Sequence, residues 1–164
     1  MRKKILFLAG MMVCGSLAGA QEISKTWVAD KGNGTYQNPV LHADYSDPDV
    51  CAAGDDFYMT ASSFNCIPGI PILHSNDLVN WSLVNYALPV QEPETFFDKA
   101  QHGKGVWAPA IRFHNGEFYI YWGDPDYGIY MIKTKDPKGK WSKPVLVKAG
   151  KGMIDATPLW DEDG

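Results

Sequence analysis

Two stretches of this chain repeat the same order of features about 61 residues apart. Each stretch has an opening residue followed by proline, a turn rich in Gly, Asn or Asp, an apolar run, and finally an Asp and a Trp. The first unit opens at Asp47 and reaches Trp81, and the second opens at Ala108 and reaches Trp141. A third copy opens at Asp155. The chain is therefore predicted to be built from repeated units of one kind.

The turns inside these units predict antiparallel hairpins. Gly54 to Asp56 precedes one apolar run, and Asn115-Gly116 precedes the other. An Asn-Gly pair favours the tight turn that joins two strands. Four short strands per unit, repeated every roughly 40 to 60 residues, predict the blades of an all-β propeller, here two blades and the first strand of a third. Because a propeller closes into a ring, we expect these 164 residues to be the front of a longer protein. A small β-sandwich is the alternative, but it would not repeat this order of features.

The first 20 residues have the pattern of a secretory signal peptide. Residues 2–4 are basic, residues 5–13 are apolar, and residues 18–20 form a small-residue cleavage site. The apolar part is too short to span a membrane. A lipoprotein anchored through Cys14 is the alternative. We expect an exported protein, periplasmic or extracellular, with no membrane partner once the leader is removed.

Charge and cysteine content narrow the possible partners. The net charge of −4 argues against a nucleic-acid partner, because neutralising phosphates requires clustered Lys and Arg. After the leader, Cys51 and Cys66 remain, and their spacing fits no zinc signature. An exported compartment permits a disulfide between them, but we predict two free, buried thiols.

The residues around the two opening positions resemble a known family. The run from Asn38 to Val50, which contains Asp47-Pro48, and the later Trp107-Ala108-Pro109 resemble glycoside hydrolase family 43, the β-xylosidases and α-L-arabinofuranosidases. The resemblance covers residues 36–164, after a leader (1–20) and an N-terminal extension (21–35).

This resemblance implies a five-bladed propeller in the parent protein. It also implies an inverting hydrolase that releases terminal L-arabinofuranose or D-xylose from plant cell-wall polysaccharide. Two carboxylates suffice for this reaction, so no organic cofactor is expected. Some family members hold an axial calcium ion. No calcium loop of the familiar spacing is present in this sequence, and the metal question stays open.

The acids at the unit openings are the candidate catalytic groups. The first strand of each propeller blade lines the central funnel, so Asp47 and Asp155 are expected to point toward one axis. Neighbouring like charges raise a pKa, as in sites that transfer protons. The resemblance implies that Asp47 is the general base and that Asp155 modulates the pKa of the general acid. That acid is a glutamate of the fourth unit, so the fragment alone is expected to be inactive. Asp44 is an alternative base that lacks the following proline.

Aromatic and histidine side chains are the candidate sugar-binding groups. Trp107 follows a glycine-containing loop, and its ring is expected to stack on the terminal sugar, with a core Trp as the alternative. Phe64 resembles a second apolar wall of the same subsite. His42 and His102 are expected to hydrogen-bond sugar hydroxyls.

Other functions remain as alternatives. A non-catalytic carbohydrate-binding propeller would keep Trp107 without needing Asp47. A fructan hydrolase would require an Asn-Asp-Pro-Asn-Gly-like element, whereas here Ser46 precedes Asp47 and Asp49-Val50 follow Pro48. A fold kept only for assembly is a more distant possibility. These residues do not distinguish arabinose from xylose as the sugar released. They also do not distinguish exo from endo cleavage.

Overall fold

The computed structural model describes residues 26–162, which are all-β apart from one short helix. The elements, in chain order, are β1 (Asp49–Ala53), β2 (Asp56–Thr60), β3 (Gly69–Ser75), β4 (Ser82–Leu88), α1 (Glu94–Phe97), β5 (Trp107–His114), β6 (Glu117–Asp124), β7 (Gly128–Thr134) and β8 (Val145–Ala149). The predicted signal peptide lies outside the described residues.

The strands form two four-stranded antiparallel sheets, ordered β1-β2-β3-β4 and β5-β6-β7-β8. We call them blade one and blade two. Every strand pairs with its neighbour in the sequence, as in a propeller blade, whereas the Greek-key sandwich places non-consecutive strands side by side. The prediction of an all-β chain with two propeller blades is confirmed.

Strand direction places several loops at one end of the blades. β1 and β5 begin at this end, and antiparallel alternation brings the chain back to it after β2 and after β4. The segments 61–68 and 89–106 therefore lie beside the beginnings of β1 and β5. We call this the entry end. The opposite end holds the two predicted hairpins, at Gly54-Asp55 and at Asn115-Gly116.

The chain has the same turn in both blades after the third strand. The carboxylates of Asp77 and Asp136 each accept a hydrogen bond from the backbone N–H two residues further on, at 2.9 and 3.0 Å. The indole N–H groups of Trp81 and Trp141 each donate to a backbone carbonyl of the same turn, at 3.0 and 3.2 Å. The repeated Asp and Trp are thus structural in both blades.

The core lies between the two blades. Tyr58 of blade one meets Phe118 of blade two edge to face, with ring centroids 5.0 Å apart. The surrounding aliphatic side chains are fully buried: Ile70, Ile72, Leu88, Val106, Ile111, Ile120 and Ile132. A single blade exposes this apolar surface, so burial of apolar area stabilises the pair.

The two cysteines differ in their surroundings. Both are free thiols, as predicted. Cys51 is buried in the core between the blades, and burial raises the pKa of its thiol to about 12. Cys66 is exposed. The prediction of a buried Cys66 is wrong, because the residue lies in the loop between β2 and β3 rather than on a strand.

Residues 150–162 lie against blade two without being part of a sheet. The Trp160 ring stacks on His114 at 4.5 Å with an interplanar angle of 9°. A strand is defined by bonds to a neighbouring strand, and within residues 26–162 this segment has none beside it. The first strand of a third blade, predicted from Asp155, is therefore not formed in the described residues.

Candidate active site

The three residues that open the repeated units share an unusual backbone conformation. Asp47, Ala108 and Asp155 have φ angles of +50°, +36° and +54°. Residues with a Cβ rarely adopt positive φ, and such outliers concentrate at functional sites. All three residues therefore have φ in the left-handed region. This shared conformation supports their equivalence, which the sequence indicated only by spacing.

The end of β2 is joined to the segment that leads into β5. Ser63 and Val106 exchange two backbone hydrogen bonds, of 2.9 and 3.1 Å. The N–H of Ala108 donates to the Ser62 hydroxyl at 2.8 Å. Gly105 has no space for a side chain, because an added Cβ would lie 2.1 Å from the Ser63 carbonyl oxygen. We call this contact the first blade joint.

A similar joint follows blade two. Gly123, near the end of β6, packs against the backbone of the segment that precedes Asp155. A Cβ on Gly123 would lie 2.5 Å from the Met153 carbonyl oxygen and 2.7 Å from Ile154 Cα. Asp155 therefore follows blade two in the same way that Ala108 follows blade one. Since β2 and β6 both end at the entry end, the openings at Asp47 and Asp155 lie at that same end.

Asp47 is exposed and held by two hydroxyl groups. Its Oδ2 accepts hydrogen bonds from Ser62 Oγ at 2.6 Å and from Ser46 Oγ at 2.9 Å. These two bonds, the Ser62 bond first, hold the pKa of the Asp47 carboxyl below its usual range. A carboxyl group with a lowered pKa is ionised at neutral pH, so it can accept a proton but has none to donate. Asp155 is also exposed.

The two predicted sugar walls contact each other at the entry end. The rings of Phe64 and Trp107 lie edge to face, with centroids 6.4 Å apart and planes at 68°. Both side chains are half-buried, and the indole N–H of Trp107 donates to the Gly103 carbonyl at 2.8 Å. The backbone N–H of Gly105 donates to the Phe64 carbonyl at 2.8 Å. The loop glycines thus bring the backbone close, and the partly exposed rings remain available to a sugar.

The same joint connects these walls to Asp47. Ser62 bonds the Asp47 carboxylate and the N–H of Ala108, the residue after Trp107. A cleft of about 270 Å³ lies between Phe64 and the loop around α1 and is also lined by Gln91. Asp47, Phe64 and Trp107 are therefore linked through consecutive residues of one loop.

The two predicted histidine contacts lie in different places. His102 is exposed and adjoins Gly103, which accepts the Trp107 bond. The ring of His42 lies 5.5 Å from that of Trp27 and lines a separate cleft of about 700 Å³, together with Trp81. The lining of this cleft includes neither Asp47 nor the two sugar walls. The structure thus groups His102 with the Trp107 loop and places His42 beside the N-terminal segment.

Other acids of the entry end have turn and pairing roles. Asp124 is buried, which raises its pKa, and its Oδ1 accepts the N–H groups of Asp126 and Tyr127. Asp126 forms an ion pair of 2.9 Å with Lys104.

Among residues 26–162 no group of three or more His, Cys, Asp or Glu side chains could hold a metal ion. No helix of this part of the chain is long and apolar enough to cross a bilayer.

Sequence reasoning missed two sets of residues at this end. One is the pair of hydroxyls on Asp47. The other is Arg112, whose guanidinium bonds Asp49 of blade one and the Thr157 hydroxyl, the latter at 2.9 Å. Arg112 and Asp49 lie 63 residues apart, so no local sequence pattern predicts the contact between them.

Comparison with known proteins identifies the family. The sequence model described as "Glycosyl hydrolases family 43" matches residues 36–164, most of the chain. The chain belongs to glycosyl hydrolase family 43. Two curated relatives are each 38% identical: a β-xylosidase of Formosa agariphila over 152 residues, and a non-reducing end α-L-arabinofuranosidase of Bacteroides ovatus over 125 residues. The chain aligns over 88% and 74% of its own length, and it spans 26% and 23% of theirs.

Solved structures of family 43 agree with the fold. A GH43_12 protein retrieved from a capybara gut metagenome gives a TM-score of 0.66 at 36% identity, covering 77% of this chain and 24% of that one. The GH43 protein BlXynB of Bacillus licheniformis gives 0.67 at 33% identity, covering 78% and 27%. The chain spans about a quarter of its family 43 relatives. The resemblance of the opening motifs to this family is confirmed.

Proposed function

We propose that this chain is the N-terminal part of an exported, inverting glycoside hydrolase that releases terminal L-arabinofuranose or D-xylose from plant cell-wall polysaccharide. Family membership and the names of the two curated relatives support the substrate class. The pattern of the first 20 residues supports export. The observation that carries the proposal is the exposed Asp47 carboxylate, which accepts hydrogen bonds from two hydroxyls and is linked to the Phe64 and Trp107 rings.

Asp47 acts as the general base in this proposal. Inverting hydrolysis needs a carboxylate on one face of the sugar to take a proton from water, and a protonated acid on the other, about 6.5–9.5 Å away. As water attacks the anomeric carbon it becomes more acidic, so a base of low pKa suffices. Phe64 and Trp107 would contact the apolar face of the terminal pentose. Asp155 would orient the substrate and tune the acid, which lies outside this chain.

The test uses the full reading frame and two aryl glycosides. We expect turnover of an aryl α-L-arabinofuranoside or an aryl β-D-xyloside. NMR of the released sugar should show that the configuration at the anomeric carbon is inverted. Asp47→Asn should lower kcat by at least about 1,000-fold while sugar binding persists. Asp44→Asn, three residues away, is the matched control and should retain activity.

Two outcomes would contradict this assignment. Near-normal turnover by Asp47→Asn would remove Asp47 from the role of base. Sugar binding with no turnover by the wild-type enzyme would favour a non-catalytic carbohydrate-binding propeller. We also expect no hydrolysis by residues 21–164 alone, because this proposal assigns the proton donor to a later blade; turnover by that purified piece would refute this division of roles.

A further inference from the structure

The two hydroxyls at Asp47 contact the same carboxylate oxygen. Ser62 Oγ and Ser46 Oγ both donate to Oδ2, at 2.6 and 2.9 Å. The shorter distance is typical of an O–H donor on a carboxylate anion, a bond stronger than one between neutral groups. Within residues 26–162 no group donates a hydrogen bond to Oδ1. The two oxygens of this carboxylate therefore differ: one is held and the other is available.

The hydrogen of the Ser62 hydroxyl has a defined direction. A hydroxyl has one hydrogen to donate and two lone pairs that accept. Ser62 Oγ accepts the N–H of Ala108 at 2.8 Å, which occupies a lone pair and leaves the hydrogen for Asp47. The backbone of Ser62 is also fixed, because its N–H donates to the Ser46 carbonyl at 2.9 Å. The donor is thus oriented before any substrate arrives.

We propose that Ser62, assisted by Ser46, is a positioning residue for the base: it holds Oδ2 of Asp47, so that Oδ1 is the oxygen that takes the proton from the attacking water. This inference rests on the proposed function, because it assigns the oxygen that performs the proposed step. In that step Oδ1 gains the proton as the water oxygen bonds to the anomeric carbon, and the glycosidic oxygen leaves with its electron pair and takes a proton from the general acid.

Ser62 also fixes the position of the Asp47 carboxylate relative to the Trp107 ring. The N–H that it accepts belongs to Ala108, next to Trp107, so one hydroxyl fixes the base of blade one and the wall at the start of blade two. A shift of about 1 Å between a base and its substrate can cost on the order of 100-fold in rate. Loss of the Ser62 hydroxyl should therefore lower the rate of the chemical step more than it lowers the affinity for the substrate.

The first arm of the test measures the Asp47 carboxyl by NMR titration of the 164-residue chain. We expect the pKa of Asp47 to rise in Ser62→Ala and to stay near the wild-type value in Ser62→Thr, which keeps a hydroxyl. Ser142→Ala is the matched control, because this serine accepts the Lys133 N–H at 3.0 Å on blade two and does not contact Asp47. An unchanged Asp47 pKa in folded Ser62→Ala would overturn the proposal.

Ser62→Ala also removes the bond to the Ala108 N–H, which is one of the contacts that join the two blades. Ser46→Ala leaves the blade joint intact and removes the second donor on Oδ2. If Ser62→Ala does not fold, the pKa of Asp47 must rise in Ser46→Ala for the proposal to stand. No rise there would overturn it.

The second arm measures kinetics in the full-length enzyme. Ser62→Ala should lower kcat about ten-fold or more with KM within about two-fold, and Ser62→Thr should recover most of the loss. A loss confined to KM, or no loss of kcat, would overturn the positioning role. If the wild-type enzyme hydrolyses no glycoside, the proposed function fails, and the NMR arm still decides whether Ser62 holds the carboxylate.

Discussion

The first blade joint can be tested by adding a single methyl group. Gly105 has an ordinary backbone conformation, but a Cβ there would lie 2.1 Å from the Ser63 carbonyl oxygen and 2.7 Å from that of Phe64. Backbone oxygens cannot rotate away as a side chain can, so Gly105→Ala must push the two segments apart.

The cost follows from the bonds that the shift would break. The joint holds three backbone hydrogen bonds: Gly105 N–H to Phe64 O at 2.8 Å, and the pair between Ser63 and Val106 at 2.9 and 3.1 Å. Each is worth about 1 kcal/mol net, and more where a buried group is left unpaired. We expect Gly105→Ala to lower the free energy of unfolding by about 2–4 kcal/mol.

The assay is urea unfolding followed by tryptophan fluorescence, with Gly54→Ala as the matched control. Gly54 lies in a hairpin turn at φ +64° with nothing within 4 Å of an added Cβ. Its substitution incurs only the backbone cost of a left-handed residue, about 1 kcal/mol. Equal losses of stability in the two variants would refute the close packing of the joint, and with it the coupling of Asp47 to Trp107.

Three further predictions concern single side chains. Arg112→Met should lower the free energy of unfolding by about 1–2 kcal/mol in urea, because it removes the half-buried link between Asp49 and Thr157; a change below 0.3 kcal/mol would argue against the link. Trp107→Ala in the full-length enzyme should weaken pentose binding about ten-fold by calorimetry, and unchanged affinity would show that the ring does not contact the sugar. The carboxylate of Asp77 accepts several N–H bonds, so its folded pKa lies below the unfolded value. Its contribution to stability, about 1 kcal/mol, should be present at neutral pH and disappear as the pH falls below about 4, so the gap in melting temperature between Asp77→Ala and wild type should close in acid.

The parts of the fold that rest on local chemistry could be predicted from the sequence. The Asn115-Gly116 turn and the repeated Asp and Trp follow from short-range backbone preferences, and they appear where the pattern placed them. The equivalence of Asp47 and Ala108 followed from their spacing, and the shared positive φ supports it.

The contacts that complete the site could not be predicted in this way. Ser62 contacts Asp47 across 15 residues and Ala108 across 46, and a serine at the end of a strand carries no signal of either bond. The cleft that receives His42 depends on how the N-terminal segment packs on blade one. Cys66 is exposed because of the path that the loop between β2 and β3 takes. The hydrophobicity of a single residue does not determine that path.

A crystal structure of the full-length enzyme with a pentose bound would show whether Asp47, Asp155 and Trp107 form one site. We predict that the carboxyl groups of Asp47 and Asp155 face the same sugar, with Asp47 Oδ1 within hydrogen-bond reach of a water next to the anomeric carbon. The sugar should also contact the Trp107 ring. Carboxyl groups that face different surfaces, or a sugar bound away from the entry end, would contradict this prediction.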